Sequence, residues 1–338
     1  MIDLIYEKRF LSKGPKIVAI GGGTGLSTLL EGLKEYTANI TAIVTVADEG
    51  GSSGRLRQEF GILPPGDIRN CLVSLAETPQ LMRDLFQYRF KEGEGIKGHS
   101  FGNIFITAMT QVTGSFREAI KESSIVLAIR GKVLPSSLEE MRIKADYFDG
   151  TTIEGEDKIP VTTSSIKKLS LVPEDAKPNP EAIAAVKEAD IIILGPGSLF
   201  TSVIPNLLIK DLQEEISRKQ IMKLYICNVM TQEGETDSYT ASDHLEKIVS
   251  HTKKNLINCF LINSGRLTSD LLTKYASQKS FPVLFDRGKL RGMGVSVYEA
   301  DIINRTNYIR HDPYKTAREV IRIYNKRRKK WLGLRNKL

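Results

Sequence analysis

Residues 16–36 read KIVAIGGGTGLSTLLEGLKEY, and this stretch decides the fold. Lys16–Ile20 is a short β-branched run, which suits a buried strand. It ends in five residues, Gly21, Gly22, Gly23, Thr24 and Gly25, that can turn sharply. Leu26, Leu29, Leu30 and Leu33 then repeat at helical spacing and form one apolar face. A second run, ITAIVTV at 40–46, predicts another buried strand. Strand, glycine turn, helix and strand make the βαβ unit of a parallel sheet.

The same rhythm continues outward. GDIRNCLVSLAE is expected to be a helix with Asp67 near its start. TPQLMRDLFQYRF is a second, with Thr78 as N-cap and Pro79 in the first position. SFGNIFITAMTQVTG reads as an apolar helix. Between 130 and 175 the pattern changes to short strands around the turn signals DGT and EGED, which predicts an antiparallel β-rich insertion. After KPNPEAIAAVKEAD the α/β alternation resumes: IIILGPGSLFTSVIPNLL is strand, glycine turn and helix, MKLYICNVMTQEGET and NCFLINSG are strands running into polar loops, and PVLFDRGKLRG is a further strand and loop. PYKTAREVIRIYNKRRKK is a last helix with a stripe at Ala317, Val320, Ile321 and Tyr324. The expected fold class is α/β, Rossmann-like, a mostly parallel sheet flanked by helices with an inserted antiparallel portion. One continuous domain is expected over 15–312, followed by a C-terminal helix and basic tail at 313–338.

The chain has 338 residues, ordinary globular composition and a net charge of +8. Of its 48 basic residues, seven lie between Asn325 and Leu338 with no acid among them, leaving 41 against 40 acidic residues elsewhere. The body is therefore nearly neutral and the basicity belongs to the tail. Such a tail is either a solvated helix end or a contact for nucleic acid, anionic membrane or an acidic partner. The sequence has no repeated interleaving of aromatic with basic residues of the kind that single-stranded RNA binding uses, so nucleic acid is not the expected partner. Three isolated cysteines, Cys71, Cys227 and Cys259, form no CxxC pair and no disulfide framework, which fits buried thiols in a reducing cytoplasm. The N-terminal segment lacks the apolar core of a signal peptide, and no segment reaches the ~18 apolar residues of a membrane span.

The residues that suggest chemistry follow strands. GGGTG at 21–25 allows backbone N–H groups to approach a phosphate at a helix N-terminus, or is a tight packing turn. It departs from the dinucleotide fingerprint, since Leu26 stands at the third glycine position. VTVADEGGSSGRLR at 44–57 ends the next strand. Asp48 lies where a dinucleotide fold places an acid on a ribose. Gly50, Gly51, Ser52, Ser53 and Gly54, with the guanidinium groups of Arg55 and Arg57, supply donors for phosphate oxygens, unless they form only a solvated loop. Asp48 and Glu49 could hold Mg²⁺ beside a phosphate. GPGSLFTS at 195–202 repeats the device, with Gly195, Gly197, Ser198, Thr201 and Ser202. PPGDIRN offers Asp67, Arg69 and Asn70, where Asp67 is either a ligand group or a helix cap. GHSFGN offers His99 and Asn103. CNVMTQEGET offers Asn228, Thr231 and Gln232, and IRHDP offers Arg310, His311 and Asp312. His244 and His251 have no metal-binding pattern and read as surface helix residues. No nucleophile elbow, serine triad, Walker lysine or zinc spacing is present in the sequence.

In this order the motifs IGGGTGLSTLLEGLK, VTVADEGGSSGRLR, PPGDIRN, GHSFGN, LGPGSLFTSVIPNL, YICNVMTQEGET and IRHDP resemble the bacterial gluconeogenesis-factor (YvcK-type) family. That family is CofD-like and related to the phospholactate transferase of deazaflavin coenzyme synthesis. The resemblance covers residues 15–312. It implies a cytoplasmic protein that binds UDP-sugars, notably UDP-N-acetylglucosamine, and that supports growth on gluconeogenic carbon sources and cell shape. It also implies sugar-nucleotide contacts at Tyr275, in the KYA segment, and at Arg310 of RHD. Two positions depart from the family pattern: Glu49 stands where Asp is usual, and Pro313 stands where members carry a phosphorylated threonine, leaving Thr316 as an untested substitute. Two readings stay open. One is a UDP-sugar-binding regulator without turnover. The other is a Mg²⁺-dependent transferase of the phospholactate-transferase type, using a nucleotide diphosphate donor. A homodimer is left open.

Overall fold

The computed structural model describes residues 10–159, 164–305 and 308–335, with the side chains of residues 254 and 330–335 left aside. Part of the basic tail, including Lys337, therefore lies outside the described residues.

The β-branched runs do form strands: β1 (Ile17–Gly21), β2 (Ile40–Val44) and β3 (Lys132–Pro135) on one side, β7 (Ile191–Leu194), β8 (Met222–Ile226), β9 (Cys259–Asn263) and β10 (Ser296–Ala300) on the other. Together they make one seven-stranded sheet in the order β10-β9-β8-β7-β1-β2-β3, parallel throughout. β1, β7 and β8 are buried along their whole length, as continuous apolar runs in a doubly covered parallel sheet must be.

The chain builds outward from β1 to β2 and β3, then returns to the other side of β1 with β7. The junction of β1 and β7 is thus the point where strand order reverses. A crevice opens there beyond the carboxyl ends of the strands, because the connections from neighbouring strands leave in opposite directions. Both glycine turns, after Gly21 and after Leu194, emerge at this junction.

The helices that follow the strands are α1 (Gly23–Leu33), α2 (Gly51–Phe60), α3 (Gly66–Leu75), α4 (Gln80–Gln87), α5 (Phe101–Thr113), α6 (Phe116–Val126), α7 (Pro180–Glu188), a π-helical turn (Leu199–Val203) running into α8 (Ile204–Leu208), α9 (Lys210–Arg218), α10 (Ala241–His251), α11 (Ser269–Ala276), α12 (Arg287–Gly292) and α13 (Pro313–Arg335). α13 packs its buried Ala317, Val320 and Ile323 against the body and crosses α1. Leu26, Leu29, Leu30 and Leu33 of α1 are buried, as the sequence spacing requires.

The insertion is a three-stranded antiparallel sheet, β5 (Thr152–Glu154), β4 (Arg142–Tyr147) and β6 (Ile166–Val172), in the order β5-β4-β6. It covers 142–172 rather than the whole of 130–175, since β3 pairs in parallel with β2. A short pair, β11 (Ile303–Asn304) with β12 (Arg310–His311), closes the chain before α13.

Several local expectations change. Residues 51–54 are not a loop but the first turn of α2, with Gly50 as its N-cap; the positive φ at Gly51 where the helix begins is one that glycine tolerates. Thr78 does not cap α4, whose N-cap is Pro79 without a side-chain hydrogen bond. Residues 282–285 form no strand beyond isolated bridges, and 287–292 are helical. His244 is fully buried on α10, with Nδ1 2.9 Å from the Thr240 carbonyl and its ring edge-on to Tyr239. His251 is half-buried and ties α10 to the insertion: its Nδ1–H donates to the Lys247 carbonyl, and its Nε2 accepts the Leu169 N–H at 2.9 Å. Neither is a surface residue, because α10 packs under the insertion rather than facing water. The three cysteines are free and buried.

Candidate functional site

Two adjoining cavities open at the carboxyl edge of the sheet. The first, about 250 Å³, lies over the β1–β7 junction. Gly23, Thr24 and Gly25 at the start of α1 form one side, and Gly197, Ser198, Thr201 and Ser202 form another. Thr45, Asp48, Asp67 and Glu156 complete it. The second, about 210 Å³, lies beyond β2 and shares Asp48 and Asp67 with the first. Its remaining wall is Gly50 to Ser53, Gly66, Arg69, Asn70, Arg89 and Asn103.

Helix ends explain why these walls are polar. α1, α2 and α3 begin at Gly22, Gly50 and Pro65, and none of these N-caps has a side-chain hydrogen bond. By contrast α5, α6, α7 and α10 are capped by Ser100, Ser115, Asn179 and Thr240. The first-turn N–H groups of the uncapped helices need partners and carry the positive end of the helix dipole. All three of these uncapped ends border the cavities.

Asp67 does cap a helix, but a neighbouring one: its carboxylate, on α3, accepts the N–H of Gly23 on α1. Burial, and then the charge of Asp48, push its pKa up to about 6. Asp48 accepts the N–H of Gly50 at 3.0 Å. Glu156 comes from the insertion. Burial, followed by the charges of Asp48, Glu235 and Asp67, raise it to about 8. Glu235, next to the π-helical turn, is raised by burial to about 7 and accepts the N–H of Phe200. The first cavity is thus crowded with carboxylates that resist ionisation together.

Glu49 does not join them. Its Oε1 meets Arg142 Nε at 3.2 Å and Arg57 Nη1 at 3.8 Å, and its Oε2 accepts the Glu156 N–H at 3.2 Å. Arg57, only 5% exposed, also pairs with Glu140 and donates to the Met141 carbonyl. The two residues clasp α2 to the antiparallel sheet. This corrects the expectation that Glu49 holds a cation and that Arg57 faces a phosphate. Arg55 also turns elsewhere: it is exposed and donates to the Lys97 carbonyl. The longer reach of Glu has a use here, so Glu49→Asp is expected to lose one of these partners and about 1 kcal/mol, read from the midpoint of chemical unfolding.

The second cavity unites residues from three motifs. Asn103 Nδ2 donates to Ser52 Oγ at 3.0 Å, and Ser52 Oγ lies 2.9 Å from His99 Nδ1. Burial, then Arg55, lower the His99 pKa, so the neutral ring accepts the serine hydroxyl. Arg69 Nη1 donates to Asn103 Oδ1 at 2.8 Å and to Ser100, and Nη2 donates to Asn70 at 2.8 Å. Burial, then Arg89, bring Arg69 down to about 10, which leaves it cationic.

Gly197 and Ser198 are held from the β8 loop, while the Gly195 N–H donates to the Ile20 carbonyl of β1. Asn228 accepts the Gly197 N–H and donates to the Gly197 carbonyl, while Ser198 donates to Gln232 at 2.7 Å. Gly21 and Gly22 line neither cavity; Asn206 donates to the Gly21 carbonyl. Tyr275 and Arg310 line neither cavity. They sit on the β8–β9 flank, where the Tyr275 hydroxyl bonds the backbone of Ile309 and its ring packs with Val229 and Ile303. Arg310 is exposed, 5.3 Å from the Tyr308 ring. His311 is half-buried, with Nε2 3.2 Å from the Cys227 carbonyl, and desolvation lowers its pKa to about 4.

Arg89, Glu156 and Glu235 were not legible as site residues. EGED reads as a turn, and QYRF reads as the end of α4; in fact α4 stops at Gln87 and Arg89 pairs in extended form with Ser100. Among the described residues no three His, Cys, Asp or Glu side chains gather as a metal cage. Asp48 and Asp67 remain as a pair of oxygen donors that face both cavities. Mg²⁺ characteristically takes such a pair together with phosphate oxygens and water. Among the described residues no helix is long and apolar enough to cross a membrane.

Known proteins agree with this architecture. The family model for 2-phospho-L-lactate transferase CofD matches residues 17–303. A relative from Nostoc sp. (strain PCC 7120) is 50% identical, across 96% of this chain and 72% of its own length. The gluconeogenesis factor of Bacillus subtilis (strain 168) is 48% identical, across 91% of this chain and 97% of that one. A crystal structure of a UPF0052 family member from Bacillus halodurans superposes with a TM-score of 0.89, at 46% identity, over 91% of this chain and 99% of its own. The chain belongs to the CofD family, among the bacterial gluconeogenesis factors.

Proposed function

We propose that this chain is a cytoplasmic regulatory protein that binds a UDP-sugar, UDP-N-acetylglucosamine first among them, and that supports gluconeogenic growth and cell shape. The observation that carries the reading is the first cavity. The helix N-terminus at Gly23–Gly25, whose Gly23 N–H is taken by Asp67, faces the hydroxyls of Ser198, Thr201 and Ser202 over the strand-order reversal. That is a site for a diphosphate: N–H and O–H donors converge, and the dipole favours negative charge. The nucleoside then extends along the β8–β9 flank, past Asn228, to Tyr275 and Arg310. Mg²⁺ would be held by Asp48 and Asp67, where it supplies neutralisation of the diphosphate charge.

A thermal-shift screen with UDP-N-acetylglucosamine, other UDP-sugars, NAD and GDP tests this. A ligand at ~100 times its dissociation constant adds about 2.7 kcal/mol. A response to NAD and to no UDP-sugar overturns the reading. Arg310→Ala, at an exposed position, is expected to abolish the UDP-sugar response with the fold intact; an unchanged affinity removes Arg310 from the site.

A second reading is favoured by the presence of two cavities and by the family's transferase description. It is a Mg²⁺-dependent transfer of a phosphorus-containing group from a nucleotide diphosphate donor. Mass spectrometry of donor, Mg²⁺ and candidate acceptors distinguishes it, since only turnover gives a new product.

A further inference from the structure

A UDP-sugar laid across the strand-order reversal leaves the second cavity unused. Its chemistry differs from that of the first. Only the shared wall, Asp48 and Asp67, is acidic; every residue that belongs to the second cavity alone is cationic or neutral. Two guanidinium groups, Arg69 and Arg89, line it. The first cavity has no cationic side chain at all. Two ten-residue helices, α2 and α3, begin at its wall without side-chain caps.

Arg69 is the decisive residue. It is 6% exposed, its two Nη atoms are bonded, and its Nε is buried without a partner. A guanidinium that lines a cavity gains from an oxyanion placed against it, through charge and hydrogen bonds together. The shape of the donor set narrows the ligand. No aromatic or apolar side chain lines the cavity, so nothing there stacks on a base or packs on a hydrocarbon ring. Serine hydroxyls, helix N–H groups and two arginines instead suit a compact oxyanion with several acceptor oxygens.

We propose that the second cavity is a separate phosphate site, taking a phosphate oxyanion, free or at the end of a small molecule, beside the UDP-sugar and across the Asp48–Asp67 pair from it. The presence of two ligands rests on the UDP-sugar reading; the anion site itself does not.

The test uses the full chain and isothermal titration with inorganic phosphate and with glycerol 3-phosphate, each with and without saturating UDP-N-acetylglucosamine. Phosphate is expected to bind alone, and to bind as well when UDP-N-acetylglucosamine is present. Arg89→Ala, at an exposed position, is expected to weaken phosphate about tenfold or more and leave UDP-N-acetylglucosamine affinity unchanged. Binding of both phosphate compounds assigns the site to a phosphate-bearing molecule, and binding of inorganic phosphate alone assigns it to the free ion. No binding of either overturns the proposal, as does an Arg89→Ala chain that binds phosphate normally. Competition between phosphate and UDP-N-acetylglucosamine also overturns it, because the cavity then holds the nucleotide's own phosphates. Phosphate binding with no UDP-sugar response overturns the proposed function and the two-ligand arrangement while the anion site stands.

Discussion

Gly25→Ala is expected to cost about 3 kcal/mol of stability and to abolish UDP-sugar binding. A β-carbon at Gly25 would lie 2.7 Å from the carbonyl carbon of Pro196 and 3.0 Å from the Gly197 nitrogen. Both are backbone atoms, so no side chain can rotate away. The first turn of α1 would have to move off the 195–197 turn, which Asn228 holds at both the N–H and the carbonyl of Gly197. These two turns are the facing walls of the first cavity, so the displacement falls on the donors that would meet a diphosphate. Gly23→Ala is the useful companion, because its β-carbon meets only Ser202 Oγ, at 3.7 Å, and its cost is the positive φ alone. Denaturant midpoints and UDP-N-acetylglucosamine titrations of both variants check this. A Gly25→Ala chain of ordinary stability and affinity would show that the close approach of the turns is not needed.

The same contrast shows what a sequence can and cannot display. β1, the turn and α1 were legible because each carries its own local signal: a β-branched run, consecutive glycines, and leucines at helical spacing. The apolar registers of β2, β7, β8 and β9 were legible for the same reason. The segment 50–54 was not, since Gly-Gly-Ser-Ser-Gly has poor intrinsic helix propensity and reads as a loop. It is helical because α2 is held from outside: Arg57 and Glu49 tie it to the antiparallel sheet, and Ser52 is bonded to Asn103. β10 was also missed. Ser296–Ala300 is a partly exposed edge strand with no apolar run, and its pairing with β9 makes it a strand.

The candidate site divides in the same way. Ser52, Arg69, Asn70, His99 and Asn103 stand in short motifs rich in glycine and polar residues, and the fold brings them into one network. Charge sign misled at Glu49, Arg55 and Arg57. Their types suit a phosphate or metal site, but a sequence does not say which partner a charged side chain finds. Glu156 shows the opposite failure. Nothing in a turn such as EGED points to a cavity, because its place there depends on how the insertion docks. That docking runs through Glu49, which accepts the Glu156 N–H, so Glu49 also positions the acid that the sequence did not reveal.

Glu156→Gln is expected to stabilise the ligand-free protein by about 2–3 kcal/mol at pH 8 and to change little at pH 5. Burial and the neighbouring carboxylates raise Glu156 to about 8, Glu235 to about 7 and Asp67 to about 6. A carboxyl group whose pKa is raised by folding holds its proton in the native chain after the unfolded chain has released it. The native state therefore binds more protons than the unfolded state between the ordinary carboxylate range near 4.5 and pH 8, and stability falls as pH rises through that window. Below the window both states are protonated and the stabilising difference is fully present; above it the native chain must carry the charges. Each pH unit is worth up to about 1.4 kcal/mol, and water in the open cavity screens part of it. Glutamine keeps the size and hydrogen bonding of the protonated acid and cannot ionise. The variant should thus hold its low-pH stability up to pH 8, leaving only the smaller decline from Glu235 and Asp67. Melting temperatures of both chains from pH 5 to pH 9, taken in chelator so that no cation offsets the charges, give the answer. Parallel pH profiles for wild type and Glu156→Gln would mean that Glu156 is ionised at neutral pH and that the first cavity carries its full negative charge before any ligand arrives.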